Sequence, residues 1–211
     1  LNLTNIVFTD EQQLIFDELI SPTSPIVTIR ATAGSSKTTS LVAAISRYKQ
    51  VFPDHSVRYL VFGALAAAEG KSEFGTNAIV STLHAFAYHH IVKEYKLGIV
   101  KPFLTWRDIP KSIKRPFNTD GEILNIIEDY CTFDYLSLDL YTAEQKEINP
   151  EFDYRLIPAT KQVLNHMAQG RMPITHSFYL KLFHIFVMNN KIQLDHHDRL
   201  LVDEFQDMSG L

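Results

Sequence analysis

One stretch constrains the fold more than any other: IVTIRATAGSSKTTSLVAAI, residues 26–45. The run PIVTIRA is apolar and β-branched, which predicts a buried strand. Small residues follow, then Lys37-Thr38, then KTTSLVAAISRYKQVF, whose helical period puts Leu41, Val42, Ile45 and Tyr48 on one side. A strand that turns tightly into a helix aims the helix's first N–H groups, and the positive end of its dipole, at whatever lies above the turn. Ala33, Gly34, Ser35, Ser36, Lys37, Thr38 and Thr39 are therefore candidate phosphate-binding residues. Lys37 would reach the β- and γ-phosphates of a nucleotide, and the Thr38 hydroxyl would ligate Mg²⁺. Ser36 departs from the pattern, because such loops have glycine before the lysine. A Cβ there crowds backbone wrapped around phosphate and is costly if the residue needs positive φ.

DRLLVDEFQD, at the other end of the chain, reads as an apolar strand running into carboxylates. Asp203 at the strand end can hold Mg²⁺ directly or through water. Glu204 beside it can accept a proton from an attacking water. An acidic strand end facing solvent is the bland alternative, but it leaves the coincidence with the phosphate-loop pattern unexplained.

Between these segments, FTDEQQLIFDELI predicts a helix capped by Thr9, with Gln12 completing a capping box and Phe8 stapling the entry. VRYLVFG and NAIVST read as strands. LAAAEGKSEF and HAFAYHHIVKEYK read as helices, and THSFYLKLFHIFVMNN as a helix capped by Thr175. Residues 97–172 carry scattered prolines, aromatics and charges, with short helices expected near 121–131 and 158–168, the latter opening at Pro158. This predicts an α/β fold: a parallel sheet with helices on both faces and an inserted helical subdomain. The expected divisions are residues 1–96, the insertion 97–172, and the return 173–211 with the carboxylate-bearing strand.

The single cysteine, Cys131, excludes a disulfide framework and points to a reducing setting, cytoplasmic or nuclear. No apolar run reaches ~18 residues, so no membrane span is expected. The net charge of −4 hides an uneven distribution. Residues 93–115 carry seven Lys/Arg against Glu94 and Asp108, whereas residues 120–153 carry ten Asp/Glu against Lys146. The first segment can meet phosphate; the second repels it. Two solvated faces of a helical region are the plainer reading. The histidines, including His89-His90 and His196-His197, lack zinc-ligand spacing such as H-E-x-x-H.

Gln12, ATAGSSKT, STLHAFAY and VDEFQD together resemble the Q, Walker A, third-region and Walker B motifs of superfamily 1 DNA helicases of the UvrD/Rep type. The likeness is nearest to the F-box DNA helicase branch, through Thr82-Leu83-His84-Ala85-Phe86-Ala87-Tyr88 and Thr175-His176-Ser177-Phe178-Tyr179-Leu180-Lys181-Leu182. It is strong at both ends and weak across about 97–157. The resemblance implies that Gln12 contacts adenine and that Lys37 and Thr38 bind phosphate and Mg²⁺. It implies that Asp203 and Glu204 serve the metal and the water, and that Gln206 senses the γ-phosphate. Phe62, Thr82 and His84 would lie on single-stranded DNA, with 3′-to-5′ movement; for His84, a core histidine capping a helix is the alternative. Gly63-Ala64-Leu65 departs from the family's Asn-Lys and removes polar contacts expected there. The family continues past the present C-terminus into a second RecA-like domain, so the resemblance implies an N-terminal part that hydrolyses ATP poorly by itself. In the RecA-like P-loop NTPase fold that the resemblance implies, arginines of the second domain complete the ATP site, and a contact of that kind is worth ~10³–10⁵ in rate in related phosphoryl transfer.

Two rival readings follow from the same residues. A catalytically silent scaffold that binds DNA or a partner protein accommodates Ser36 and Gly63-Ala64-Leu65. A small-molecule P-loop kinase does not need Gln12, Thr82, His84 or Gln206. The oligomeric state is not legible in the sequence.

Overall fold

The computed structural model describes residues 7–23, 26–30 and 36–203. The chain is mixed α/β and divides into two compact units, residues 7–83 with 195–203 and residues 84–194. The boundaries place the helices that open at Leu83 and His176 mostly with the insertion rather than with the sheet.

The first unit is built on a parallel sheet. Strands β1 (Val57–Val61), β2 (Ile79–Thr82) and β5 (Arg199–Val202) lie in the order β2-β1-β5. Tyr59 pairs with Val80 on one side and Leu201 on the other. The central strand is buried over its whole length, as a parallel strand with covered faces should be. Val57, Tyr59 and Val61 recur with period two and meet Val42, Ile45 and Tyr48 of α2 (Lys37–Val51) and Ala67 and Phe74 of α3 (Ala64–Phe74) in one core. α3 makes the β1–β2 crossover. It carries glycine at 70 for a packing reason: a Cβ there would stand 3.1 Å from Val80 Cγ1 and 3.3 Å from the Tyr59 ring.

Helix α1 (Asp10–Ile20) begins as its sequence predicts. The Thr9 side chain accepts from Gln12 N, and the Gln12 side chain accepts from Thr9 N at 2.9 Å. Phe8 packs edge-on against Phe16 at 5.0 Å, one turn beyond the usual staple position, because the latter is polar Gln13. Phe16 seals α1 onto Ala43 and Ala44 of α2.

The expected strand over PIVTIRA is the main departure. Within its described part, residues 26–30 form no strand, and Ile26, Val27 and Ile29 are exposed. Apolar β-branched composition is a preference that a pairing edge must realise, and among the described strands only β1, β2 and β5 pair in this sheet.

The second unit is a helical cluster with one short parallel pairing, β3 (Val100–Lys101) to β4 (Ile174–Thr175). α4 (Leu83–Tyr88) runs on into a π-helical turn, His89–Lys93. α5 (Asp120–Thr132), α7 (Ile157–Ala168) and α8 (His176–Met188) follow the expected segments; α7 has proline in its first turn and Thr175 caps α8. α6 (Leu138–Ile148) was not expected; Ser137 caps it, accepting from Leu140 N. Ile91, Ile123, Ile127, Val163, Met167 and Phe178 form the centre of the core. Lys181 is buried within this unit, donating to the Phe133 carbonyl with its ammonium 4.8 Å from the Tyr130 ring centroid. Burial holds its pKa below the usual lysine value. No helix among the described residues is long and apolar enough to cross a membrane.

Candidate functional site

The left-handed turn that opens α2 is made by Ser36, at φ 59° and ψ 32°. Its side chain makes no cap hydrogen bond, so α2 begins on backbone geometry alone. The Ser36 carbonyl accepts from Ser40 N at 2.9 Å and from Ser40 Oγ at 3.0 Å. Ser40 Oγ in turn accepts from Gln12 Nε2 at 2.7 Å. Gln12 is thus tied to the first turn of α2 while it also caps α1. An amide carries two donors and two lone pairs. Gln12 therefore keeps one N–H and one lone pair, the pair of groups an adenine edge requires.

Lys37, Thr38 and Thr39 form the first turn of α2. Thr38 and Asp203, far apart in sequence, line the same cavity of about 80 Å³ with Tyr59, Glu69, Gly70 and Glu73. Parallel pairing brings Asp203 there: its N–H continues the ladder by donating to Leu60 O at 2.9 Å, one residue past β5. Tyr59 Oη donates to Asp203 Oδ2 at 2.5 Å and fixes the carboxylate's orientation. Glu73 Oε2 is buried with no hydrogen-bond partner among the described residues. The donors are a carboxylate, a hydroxyl and an orphaned carboxylate oxygen, a hard-oxygen set suited to Mg²⁺ rather than to a soft metal. Among the described residues no group of three or more His, Cys, Asp or Glu is placed to hold a metal ion. Mg²⁺ takes one or two protein carboxylates and completes its shell with water and phosphate oxygens, so Thr38 and Asp203 are residues that could hold it.

The residues expected on DNA are distributed as follows. Phe62 follows β1 directly and is 52% exposed. Thr82 ends β2, paired with Val61. His84 is half-buried in the helical unit, where its Nδ1 lies 2.9 Å from Tyr179 Oη. His176 Nδ1 lies 3.1 Å from the same hydroxyl, and the two imidazoles meet edge-on at 5.6 Å. Burial, then the neighbouring His176, holds the His84 pKa below the usual histidine value. A hydroxyl has one proton to give, so it donates to one imidazole and accepts from the other, which links the two tautomers. Ala33, Gly34, Ser35, Glu204 and Gln206 lie outside the described residues.

Sequence reasoning missed the supporting residues: Tyr59 on Asp203, Ser40 on Gln12, Tyr179 and His176 on His84, and Glu69 and Glu73 in the cavity. A tyrosine in the middle of the apolar run VRYLV was the one visible signal, because a buried hydroxyl requires a partner. The others depend on which strands and helices become neighbours.

No protein-family model matches the chain. The chain is similar to F-box DNA helicase 1 of Gallus gallus, with 28% identity over 231 residues that take in 98% of this chain. The match covers 22% of that protein, so the chain spans about a fifth of the length of this relative. Extending over nearly all of the chain, the likeness supports a helicase-family relationship.

Proposed function

We propose that the chain is the ATP-binding part of a DNA helicase or translocase of the UvrD/Rep type, coupling ATP hydrolysis to movement along single-stranded DNA. The observation that carries this is the meeting of Thr38 and Asp203 in one cavity, with the Asp203 carboxylate oriented by Tyr59. A helix start and a carboxylated strand end arranged in this way favour a magnesium-bound phosphate chain. In this reading the RecA-like sheet carries the nucleotide, Lys37 binds its β- and γ-phosphates, and Gln12 binds the adenine through its remaining donor and acceptor. Thr38 Oγ1 and the Asp203 carboxylate would hold Mg²⁺, which would supply neutralisation of phosphate charge and polarisation of the γ-phosphoryl group. Glu204 accepts the proton of the attacking water and Gln206 couples the γ-phosphate to movement. Phe62, Thr82 and His84 contact the DNA strand. The likeness to a protein named as a DNA helicase supports the choice of DNA.

The left-handed Ser36 favours a second reading, a silent scaffold of the same fold in which this residue weakens the phosphate loop. Calorimetry with Mg-ATP on the chain, its Ser36→Gly variant and its Lys37→Ala variant separates the two. The proposal expects micromolar binding by the parent chain, about −8 kcal/mol, lost in Lys37→Ala. Binding by Ser36→Gly alone selects the scaffold. Binding by neither, or binding indifferent to Lys37, refutes the phosphate loop.

A further inference from the structure

Residues 102–119 form neither helix nor strand, yet they are firmly built. Irregular segments longer than ~12–15 residues within a compact unit are usually functional. Ile109 and Ile113 drive into the core of the helical unit, at 3% and 2% exposure. Asp108 closes a turn on Thr105, accepting from its N–H at 2.8 Å and its hydroxyl at 3.0 Å, and pairs with Lys101 at 2.6 Å. Arg115 pairs with Asp120 and donates to the carbonyls of Pro110 and Ile113. Pro102, Pro110 and Pro116 restrict the backbone further.

What this scaffold presents outward is the opposite of a solvated loop. Phe103, Trp106 and Phe117 are 70%, 60% and 91% exposed. Arg107, Lys111 and Lys114 are exposed between them and make no ion pair among the described residues. The Arg107 guanidinium lies 5.2 Å from the centroid of the exposed Trp106 ring. The segment's one acid, Asp108, is already spent on Lys101 and Thr105. In a chain of net charge −4, the unpaired positive charge sits where the exposed rings are.

We propose that the 102–119 segment is a single-strand nucleic-acid platform: Trp106 and the phenylalanines stack on unpaired bases while Arg107, Lys111 and Lys114 follow the phosphates. Interleaved rings and cations are what single-strand binding needs, because every base has a π-face and every linkage a charge. Paired bases already stack on their neighbours, and an irregular loop supplies no helix for a groove, so a duplex fits poorly. An acidic protein surface uses the cations but has little use for three exposed rings. The inference deepens the function proposed above by adding a strand-binding surface outside Phe62, Thr82 and His84, and rests on that reading only for the choice of DNA.

Trp106 is the only tryptophan, so its emission reports on this surface alone. The experiment titrates the chain with dye-labelled oligo(dT), reading dye anisotropy and tryptophan emission together, with far-UV circular dichroism on each variant. The expected result is quenching of Trp106 at the same midpoint as the anisotropy change. Trp106→Ala should weaken binding at least about fivefold, and Trp106→Phe should restore most of it, as stacking predicts. Lys111→Gln with Lys114→Gln should flatten the slope of log affinity against log salt by about 1.4, at ~0.7 per phosphate contact. Anisotropy binding without quenching, indifferent to Trp106→Ala, overturns this surface and leaves the proposed function standing. No oligonucleotide binding in either readout also overturns it, and Mg-ATP calorimetry on the same sample then decides the nucleotide reading separately. Equal quenching by duplex DNA, or by anionic phospholipid vesicles, replaces the single-strand platform with a general polyanion surface and likewise overturns it.

Discussion

Ser36 gives the sharpest test of how this fold is held. At φ 59° and ψ 32° it occupies the left-handed region, where an L-residue costs roughly 1–2 kcal/mol relative to the right-handed one. Its side chain makes no cap hydrogen bond, so truncating it removes no cap contact. Replacement by glycine relieves the left-handed cost but adds unfolded-chain entropy, an opposing ~0.4–1 kcal/mol. The net expectation for Ser36→Gly is therefore a gain of between about 0 and 1.6 kcal/mol. At ~2–4 °C per kcal/mol for a chain of this size, the melting temperature should rise by at most ~6 °C. Ser36→Val supplies the contrast, because a β-branched residue is a true outlier in this region and should lower stability by more than ~1 kcal/mol. The assay is urea unfolding followed by circular dichroism, with the slope checked for constancy. If Ser36→Gly destabilises by more than ~1 kcal/mol, or Ser36→Val unfolds at the parent midpoint, then residue 36 is not left-handed in solution. The account of how α2 begins is then wrong.

Gly98→Ala should destabilise the helical unit severely, by more than ~2 kcal/mol, since its Cβ would stand 2.3 Å from the Met172 carbonyl oxygen; parent-like thermal unfolding would refute that close approach. Stability should fall on acidification from pH 7 to 5. Burial, the largest cause in each case, lowers the pKa of His84, His184 and His197, so below the unfolded value near ~6.5 the unfolded chain binds more protons than the folded one. The loss is complete once the pH passes below the depressed folded values, and His184→Leu, which removes a buried Nδ1 with no hydrogen-bond partner among the described residues, should flatten the slope in urea unfolding at each pH. A second loss should appear below ~pH 4. The Ser56 backbone N–H at 2.7 Å lowers the Asp198 pKa, so its contribution is present above the unfolded value and is lost as pH falls through the folded one; Asp198→Asn should abolish that limb. Mg-ATP binding should weaken at least tenfold when EDTA removes the metal, because Asp203, Glu69 and Glu73 all line the cavity. Glu69→Gln with Glu73→Gln should reduce that dependence, as read by calorimetry with and without EDTA.

The fold was legible where a local rule and a tertiary partner agreed. The α1 capping box, the β1 and β2 runs and the Thr175 cap each appear in sequence because their signal lies within a few residues. PIVTIRA failed for the converse reason: composition states what a strand prefers, but pairing decides whether one forms, and residues 26–30 lie outside the sheet. α6 was hidden because LDLYTAEQKEI mixes charge and apolar residues and buries only Leu138, Tyr141 and Gln145, too sparse a face to stand out beside the surrounding acids.

The candidate site divides in the same way. Thr38 and Asp203 could be chosen from sequence because each sits at the end of an element with a recognisable pattern, and only the sheet order β2-β1-β5 was needed to bring them to one cavity. Tyr59, Ser40 and Tyr179 could not, because their roles exist only once β1 lies beside β5, α1 beside α2, and α4 within reach of α8. These residues satisfy the polar groups that the proposed chemistry would require to be oriented: the Asp203 carboxylate, the Gln12 amide and the His84 imidazole. Motifs therefore record which atoms would meet a ligand, while the residues that aim those atoms are set by packing. Of the substitutions open to test, those at the aiming residues tell most about mechanism: Tyr59→Phe leaves every motif intact and removes the hydroxyl that donates to Asp203.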